Sequence, residues 1–596
     1  MEQLYINDIE VDLIPKSVSQ TAQINDIAEL EDRQTNRTNN IKMPKTAKNI
    51  AAFDFLGVSG NKSTKPYTRC KVKYVVDGIE LITDGYGVVR NTNQYYNLVI
   101  YDGNKDLSEL LNNETLNNID FTSYNHDLTV DNWFNSFSKT DGYIYGLGKF
   151  YENATTSIID ISLQNVSFYL HTLFEMIFTQ KGYTVSGDIF SNEDYLSRVI
   201  SMKRGHGLNP TSETTQIYNN IVSNYFVNET FSVPTNKEYL TNSYTVLNGG
   251  VNRITIDGDI FKSEGTNHEI RIYINGEFLV FEAVPDGDFI ITKDIQVLVG
   301  DLVEIKIYVE SVDDSGSHKI NFLANYVVNV LYDNLKIPIK IEELIGDSKQ
   351  LDLVKDVMQR FGLMFRKVRN KKEFEFIQMS KLLNDFENAE DWSDIYDAFI
   401  SEDYTSSYGQ INYGKYEYDE DNNNSYADGS FLIDNVNLSD DNTLFTSIFK
   451  DSKIYKGYNV LNHWVEDSDD LVVVNEDSIR MFKVNVVSDT IYFRYNNEIE
   501  TTAKKTTDYA FLDFQSIYYQ NELDNNYKEV AVVLNTFNKK TISVNLNLLQ
   551  YYALDFFKLK YFSQLGGMYY LNKVSNFKKG QKTKIEIIKS INGTES

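Results

Sequence analysis

Apolar residues recur along this chain at two spacings, every second position and every third or fourth, and the switches between them outline its elements. Alternation begins in Leu4 to Val11, which reads as one short strand. It returns in RCKVKYVVDGIELITDGYGVVR (69–90) and YYNLVIYDG (95–103), where Asp77-Gly78 has the composition of a two-residue hairpin turn. Between these lies IKMPKTAKNIAAFDFLG (41–57). Pro44 closes a strand there, and Ile50, Phe53 and Leu56 mark one face of a short helix ending at Gly57. KDLSELLNN (105–113) adds a brief helix.

Residues 115–160 are rich in Asn, Thr, Tyr and Gly and show no clean period. NVSFYLHTLFEMIFTQKGY (165–183) is the clearest helix. Val166, Leu170, Leu173, Phe174, Ile177 and Phe178 fall at helical spacing, and Gly182 stands at its end. From 228 to 333 the pattern is purely alternating, with turns expected at Asp257-Gly258, Asn275-Gly276, Asp286-Gly287 and Gly300-Asp301. Short strands at this spacing suit a sandwich or a small barrel, and the stretch reads as a separate β-sandwich. A second helix follows, with Leu351, Val354, Val357, Met358 and Phe361 on its apolar face and Gly362 as its stop. Beyond it come a strand, a turn at Arg369 to Lys372 and the strand EFEFIQM (373–379).

Residues 380–510 alternate acidic, Asn- and Tyr-rich loops with short strands, among them YGKYEYDED (413–421), FLIDN (431–435), KVNVV (483–487) and TIYFRY (490–495). In 511–590, FLDFQSIYYQNE reads as a short helix, and the stretch from EVAVVLN onward reads as several strands with turns at Gly566-Gly567 and Lys579-Gly580. No repeat of 20–50 residues stands out, which argues against a solenoid. The pattern divides the chain into an N-terminal β-rich unit (1–115), a discontinuous α+β unit (116–227 and 334–400), an inserted sandwich (228–333), a loop-rich β region (401–510) and a C-terminal β-rich unit (511–596). The expected class is mainly β with α+β elements, in several domains.

Composition supports this reading. The 596 residues include 42 Tyr, 35 Phe and only 7 Pro, and aromatic residues suit the half-buried surface of a sheet. The formal net charge is −28. That sign opposes contact with phosphate backbones and anionic lipid, so no specific nucleic acid is expected as a partner. It serves solubility, or it forms a wall that DNA passes without sticking. Cys70 is the one cysteine, which rules out an internal disulfide and a cysteine-cluster metal site. The opening residues lack a secretory pattern, and no stretch approaches the ~20 apolar residues of a membrane span.

Candidate chemistry is sparse. The six histidines, His126, His171, His206, His268, His318 and His463, include no pair at metal-ligand spacing on one helix or strand. His171, beside the apolar face of the first long helix, reads as packing or capping. GVSGNKS (57–63) has the wrong spacing for a phosphate-binding loop. Asp419 to Gly429 offers oxygen ligands at alternate positions like a calcium loop, but Asn424 replaces the turn glycine and Ser430 stands where the bidentate Glu belongs. It reads as an exposed polar loop, and Glu466 to Leu471 reads as a solvated charge cluster. No Gly-x-Ser-x-Gly elbow occurs, and nothing singles out two of the 85 acids as a glycosidase pair. No catalytic, cofactor or metal-binding residue is therefore assigned. The sandwich tyrosines either pack in its core and rim or stand exposed to stack on sugars or on another protein. The three tryptophans, Trp133, Trp392 and Trp464, all lie outside the sandwich.

Four stretches carry a family resemblance: SQTAQINDIAELEDRQTNRTNNIKMPKTAKNIAAFDFLG (19–57), KQLDLVKDVMQRFGLMFRKV (349–368), YGKYEYDED (413–421) and ALDFFKLKYFSQLGGMYYLNKVSNFKKGQKTKIEIIKS (553–590). In this order they resemble tail proteins of phages and prophages of Bacteroidetes bacteria, and the Asn- and Ile-rich composition suits an AT-rich host. The resemblance implies a hub-like tail-tip or baseplate protein in the virion tail, made in the host cytoplasm. Such hubs are homo-oligomeric, typically trimeric, rings of small β-barrels with helical additions, and they join the tail tube to a spike or fibres. It carries over no catalytic residue and no cofactor, and the sandwich looks like an added module. Two alternatives stand beside the hub. One is a receptor-binding protein or adhesin for host attachment, whose sandwich takes a host-surface glycan or protein. The other is an enzyme acting on surface polysaccharide.

Overall fold

Alternating apolar residues in the first hundred positions bury one face of a sheet that the N-terminal segment cannot complete alone. The computed structural model describes the chain apart from residues 24–36, 39, 102–106, 151–157, 209–210, 232–235, 248, 263–265, 312–317, 370, 419–424, 456–457, 468–469, 475–477, 496–501 and 592–596. Among the described residues the largest sheet has fourteen strands and draws on both ends of the chain. Glu2–Ile6, Cys70–Val76, Ile79–Thr92 and Tyr95–Tyr101 lie on one side of it. Gly567–Phe577, Thr583–Lys589, Lys539–Val544 and the edge strand Tyr396–Asp403 lie on the other. The join is the short strand Gln20–Ala22, which runs antiparallel to the C-terminal strand with Gln20 opposite Phe577 and Ala22 opposite Val574. One core contains Leu4, Ile6, Val72, Leu98 and Ile100 together with Ile542, Leu571, Ile585 and Ile587.

This arrangement corrects the division into separate N-terminal (1–115) and C-terminal (511–596) units, because strands of both pair in one sheet. An open strand edge exposes unpaired backbone groups and is satisfied by whichever strand the topology brings to it, which side-chain periodicity does not specify. The expected single strand Leu4 to Val11 is a hairpin, Glu2–Ile6 with Ile9–Val11. Asn7 and Asp8 both take positive φ (47° and 65°), the geometry of a type I′ turn. Asp77 and Gly78 form the expected turn in the same conformation.

The central body is α+β. Helix Leu170–Thr179 buries Leu170, Leu173, Phe174, Ile177 and Phe178, and helix Gln350–Arg360 buries Leu353, Val354, Val357 and Met358. The expected helix residue Val166 instead precedes a short strand, Ser167–Tyr169. Two further expectations fail here. EVAVVLN forms the helix Lys528–Asn535, because Val530, Val533 and Leu534 sit at i, i+3 and i+4 and bury one helical face. In FLDFQSIYYQNE, residues 511–513 finish the strand Ala503–Asp513, and the helix begins only at Tyr519. The strand TIYFRY is continuous with KVNVV in Met481–Arg494, paired as a long hairpin with Ala503–Asp513.

The sandwich strands extend from Thr211 to Ile339, beyond the expected 228–333 on both sides. One sheet contains Thr211–Phe231, His318–Ile339, Gly250–Lys262 and Gly287–Val297. The facing sheet contains Asn236–Thr245, Leu302–Ser311, Thr266–Ile274 and Glu277–Ala283. Ile254, Ile256, Ile270, Ile305, Ile307 and Val328 fill the space between them. Asn275 and Gly276 turn as expected, with φ of 53° and 81°. Asp257-Gly258 does not turn. It lies inside Gly250–Lys262, where a Cβ on Gly258 would come within 2.2 Å of the Asn325 carbonyl. Glycine is needed there for close strand approach. The module joins the central body where Ile337, Pro338 and Ile339 pair with the strand His126–Leu128.

Candidate functional site

The central body is held by a buried ionic network rather than by an open cleft. Arg360, at the end of its helix, is wholly buried. It donates to the hydroxyls of Tyr416 (2.9 Å), Tyr519 (3.0 Å) and Ser447 (3.2 Å), and Asp356 of the same helix lies 3.4 Å away. The Glu522 carboxylate sits 2.9 Å from Arg198 and 3.8 Å from Arg360. Arg198 also contacts Asp194, which Lys483 approaches at 2.8 Å. Burial pushes the Glu522 pKa up, and the two arginines pull it back. Buried charges require partners of this kind. The network therefore joins three helices and four strands drawn from residues 194 to 522.

The histidines are dispersed. His126 stacks on Tyr143 at 3.7 Å, with one ring nitrogen 2.8 Å from the Tyr124 carbonyl and the other 2.7 Å from the Tyr145 hydroxyl. Burial lowers its pKa to about 4. His463 is fully buried between the Met202 carbonyl (3.0 Å) and the Asn165 amide (2.9 Å), and burial, with Arg480 nearby, lowers its pKa to about 3. His206 lies close to it, under the Trp464 ring. Burial likewise lowers the pKa values of His171 and His206. His268 is buried inside the sandwich beside Thr266. The side chain of His318 and the loop Asp419 to Asn424 lie outside the described residues. Cys70, Trp133, Trp392 and Trp464 are core residues. Of the charge cluster Glu466 to Leu471, Glu466 and Asp467 lie on the strand Trp464–Asp467, which pairs with Asp470–Val473, and residues 468–469 lie outside the described residues.

A cavity of about 710 Å³ with a mixed polar and apolar lining opens beside the central body, and its acids are Asp188, Glu375, Asp385 and Glu529. Three of these acids are engaged. Asp188 pairs with Lys381 at 3.0 Å, Glu375 with Arg366 at 2.6 Å, and Asp385 accepts from the Asn388 amide at 2.8 Å.

The sandwich divides its aromatic residues. Tyr239, Tyr244 and Tyr326 are buried in its core. On the outer face of the sheet that ends in Glu277–Ala283, Arg271 lies over the Tyr308 ring at 3.2 Å and bonds Glu269 (2.9 Å) and Glu238 (3.2 Å). The Tyr273 hydroxyl donates to Glu238. Phe278 and Phe281 lie beside them, each 52% exposed. The reading of the sequence did not single out these two phenylalanines. Their signal, two Phe in one short strand, is common to many buried strands.

No family model matches the chain, and no curated protein matches it. Among solved structures, a 43 kDa tail protein of prophage MuSo2 from Shewanella oneidensis aligns over 99% of this chain and 98% of its own, at 6% identity and a TM-score of 0.33. The VP2 subviral particle of infectious bursal disease virus aligns over 21% of this chain at 12% identity and a TM-score of 0.16, and the match spans only 33% of the VP2 chain. TmCBM61 in complex with β-1,4-galactotriose aligns over 20% of this chain and 87% of its own, at 14% identity and a TM-score of 0.13.

Proposed function

We propose that this chain is a structural component of a phage-type tail, a hub or baseplate subunit that joins tail tube to spike or fibres through protein–protein contacts and performs no catalysis. The observation that carries the reading is where the tail-like segments meet. Residues 19–57 and 553–590 pair directly through Gln20–Ala22 and Gly567–Phe577. Segment 349–368 reaches the same C-terminal segment through Arg366 on Asp555 and Tyr570 on Met364. Segment 413–421 is tied to segment 349–368 where Arg360 bonds Tyr416. Pieces scattered over more than five hundred residues therefore belong to one packed frame, and the sandwich is appended to it. A resemblance borne by packing residues is expected to follow such a frame.

The acidic charge and the burial of His206, His268, His463 and the three tryptophans favour a working surface over a reaction centre. In this reading the subunit is a homo-oligomer, a trimer by the resemblance, in the virion tail. Locating the chain in purified particles by cryo-electron microscopy tests the proposal. A ring of copies at the tail tip is the expected result. A lone copy at the end of a fibre, or absence from the particle, overturns it.

A further inference from the structure

A regular strand sends residues three apart to opposite faces, yet Phe278 and Phe281 stand on the same face of the sandwich. The cause is a bulge. Across from the strand Thr266–Ile274, Val280 pairs with Ile272 and Phe281 with Arg271, but the next partner of Tyr273 is Phe278, and Leu279 is passed over. Bulges of this kind re-aim side chains. The two rings lie 6.3 Å apart and 25° from parallel, each half exposed on the outermost strand of the sheet. Exposed edges are ordinarily guarded by charge or proline. Here Glu277 and Glu282 supply the charge, and between them the strand sets two near-parallel phenylalanine rings, with the Arg271 guanidinium 5.6 Å from the Phe278 centroid.

The groups beside the rings are polar and already oriented. Arg271 is pinned by its stack on Tyr308 and by two carboxylates, and Tyr273 is pinned by Glu238. A guanidinium with five donors and carboxylates with four lone-pair sites each retain capacity after these bonds. Their ordering has been completed in the free protein, so a ligand pays little to meet them. The row is net negative: Arg271 and Lys306 face Glu238, Glu269 and Glu304, and Glu310 follows on the same face. A polyanion is repelled here, and a basic peptide finds Glu238, Glu269 and Glu304 already engaged. A neutral ligand with apolar ring faces and hydroxyl rims complements both the phenylalanine shelf and the ordered polar row.

The geometry points to this face as a binding site for neutral oligosaccharide, with Phe278 and Phe281 stacking on consecutive sugar rings and the Arg271–Glu238 row taking their hydroxyls. The assignment stands apart from the tail reading, since it concerns the isolated chain in solution.

The test is native gel electrophoresis of the full chain in gels containing soluble glucan, mannan, xylan or galactan, with DNA as the polyanion control. The expected result is retardation by at least one neutral polysaccharide and none by DNA. Phe278→Ala with Phe281→Ala weakens that retardation at least tenfold, and Ile290→Ala, exposed on the opposite sheet, leaves it unchanged. Should the double alanine variant misfold by circular dichroism, Phe278→Leu with Phe281→Leu keeps apolar bulk, removes the π faces and is expected to show the same loss. Three results overturn the proposal: no retardation by any of the four polysaccharides, equal retardation of parent and a folded double variant, or loss of particle assembly as the sole effect of the double variant. The last would assign the shelf to a subunit contact.

Discussion

The guanidinium of Arg198 lies 2.9 Å from the carboxylate of Glu522, and both side chains are almost wholly buried. The first belongs to the strand Arg198–Ser201 and the second to the helix Tyr519–Asn526, so the contact ties together distant parts of the central body. Removing one partner of a buried pair leaves the other charge without compensation.

Glu522→Gln is therefore expected to destabilise the protein by about 3 kcal/mol, the lower end for breaking a buried ion pair. Arg198 keeps Asp194 and Arg360 keeps Asp356, which holds the cost there. Urea unfolding of parent and variant measures the difference. A shift below about 1 kcal/mol, the scale of an exposed pair, would show that the network contributes little.

His463 gives a pH signature. Its folded-state pKa of about 3 lies below the ordinary value of 6.5. Between these values the unfolded chain binds a proton that the folded chain refuses. The stabilisation is thus complete above about pH 6.5 and is lost as pH falls toward 3. The slope approaches about 1.4 kcal/mol per pH unit. In His463→Gln the acid limb of stability against pH should be flatter by one proton between pH 6 and 4. Asp160, whose carboxyl burial raises to about 6, acts in the opposite direction but is common to both proteins. Parallel acid limbs would contradict the assignment.

Two glycines should differ sharply. Gly187 has φ of 128°, and a Cβ there would fall 1.8 Å from the Phe376 carbonyl oxygen. Gly276 has φ of 81° and open space around it. Gly276→Ala should cost about 1–2 kcal/mol, the strain of a left-handed residue. Gly187→Ala must also displace a backbone strand, so it should fail to fold or lose at least twice as much. Equal melting temperatures for the two variants would refute the close approach.

The sandwich should be removable. Thr211 pairs with Lys336, so the two ends of the insertion lie on neighbouring strands. Replacing residues 212–335 by a short Gly/Ser linker should leave a chain that unfolds cooperatively by circular dichroism, with some loss from contacts such as Gln296 with the Tyr495 amide. A non-cooperative or aggregated product would mean that the module supports the frame.

Local features were readable in advance. Helices Leu170–Thr179 and Gln350–Arg360 announced themselves by apolar spacing, and Asn275-Gly276 by its turn chemistry, because periodicity and positive φ are properties of a few adjacent residues. EVAVVLN misled because a β-branched run fits a buried strand and a buried helix face equally well until its neighbours are known. Asp257-Gly258 misled because glycine serves a tight turn and a close strand crossing alike. A glycan-binding sandwich stood among the alternatives read from the sequence, through its tyrosines, but the phenylalanine pair that carries the proposed face was not legible. A bulge depends on the register of the partner strand, and the sequence of Glu277–Ala283 does not contain that register.

The sequence alone determined the mainly β character, the acidic surface, the lack of a second cysteine to bridge to Cys70 and the positions of most turns, since each follows from composition or from contacts within a few residues. Only the tertiary structure decided that the two ends of the chain share one sheet, that Arg198 meets Glu522, and that Phe278 and Phe281 look the same way. Backbone hydrogen bonds are chemically alike for every candidate partner. Which strands pair, and in what register, is therefore settled by how the whole chain buries its apolar faces together.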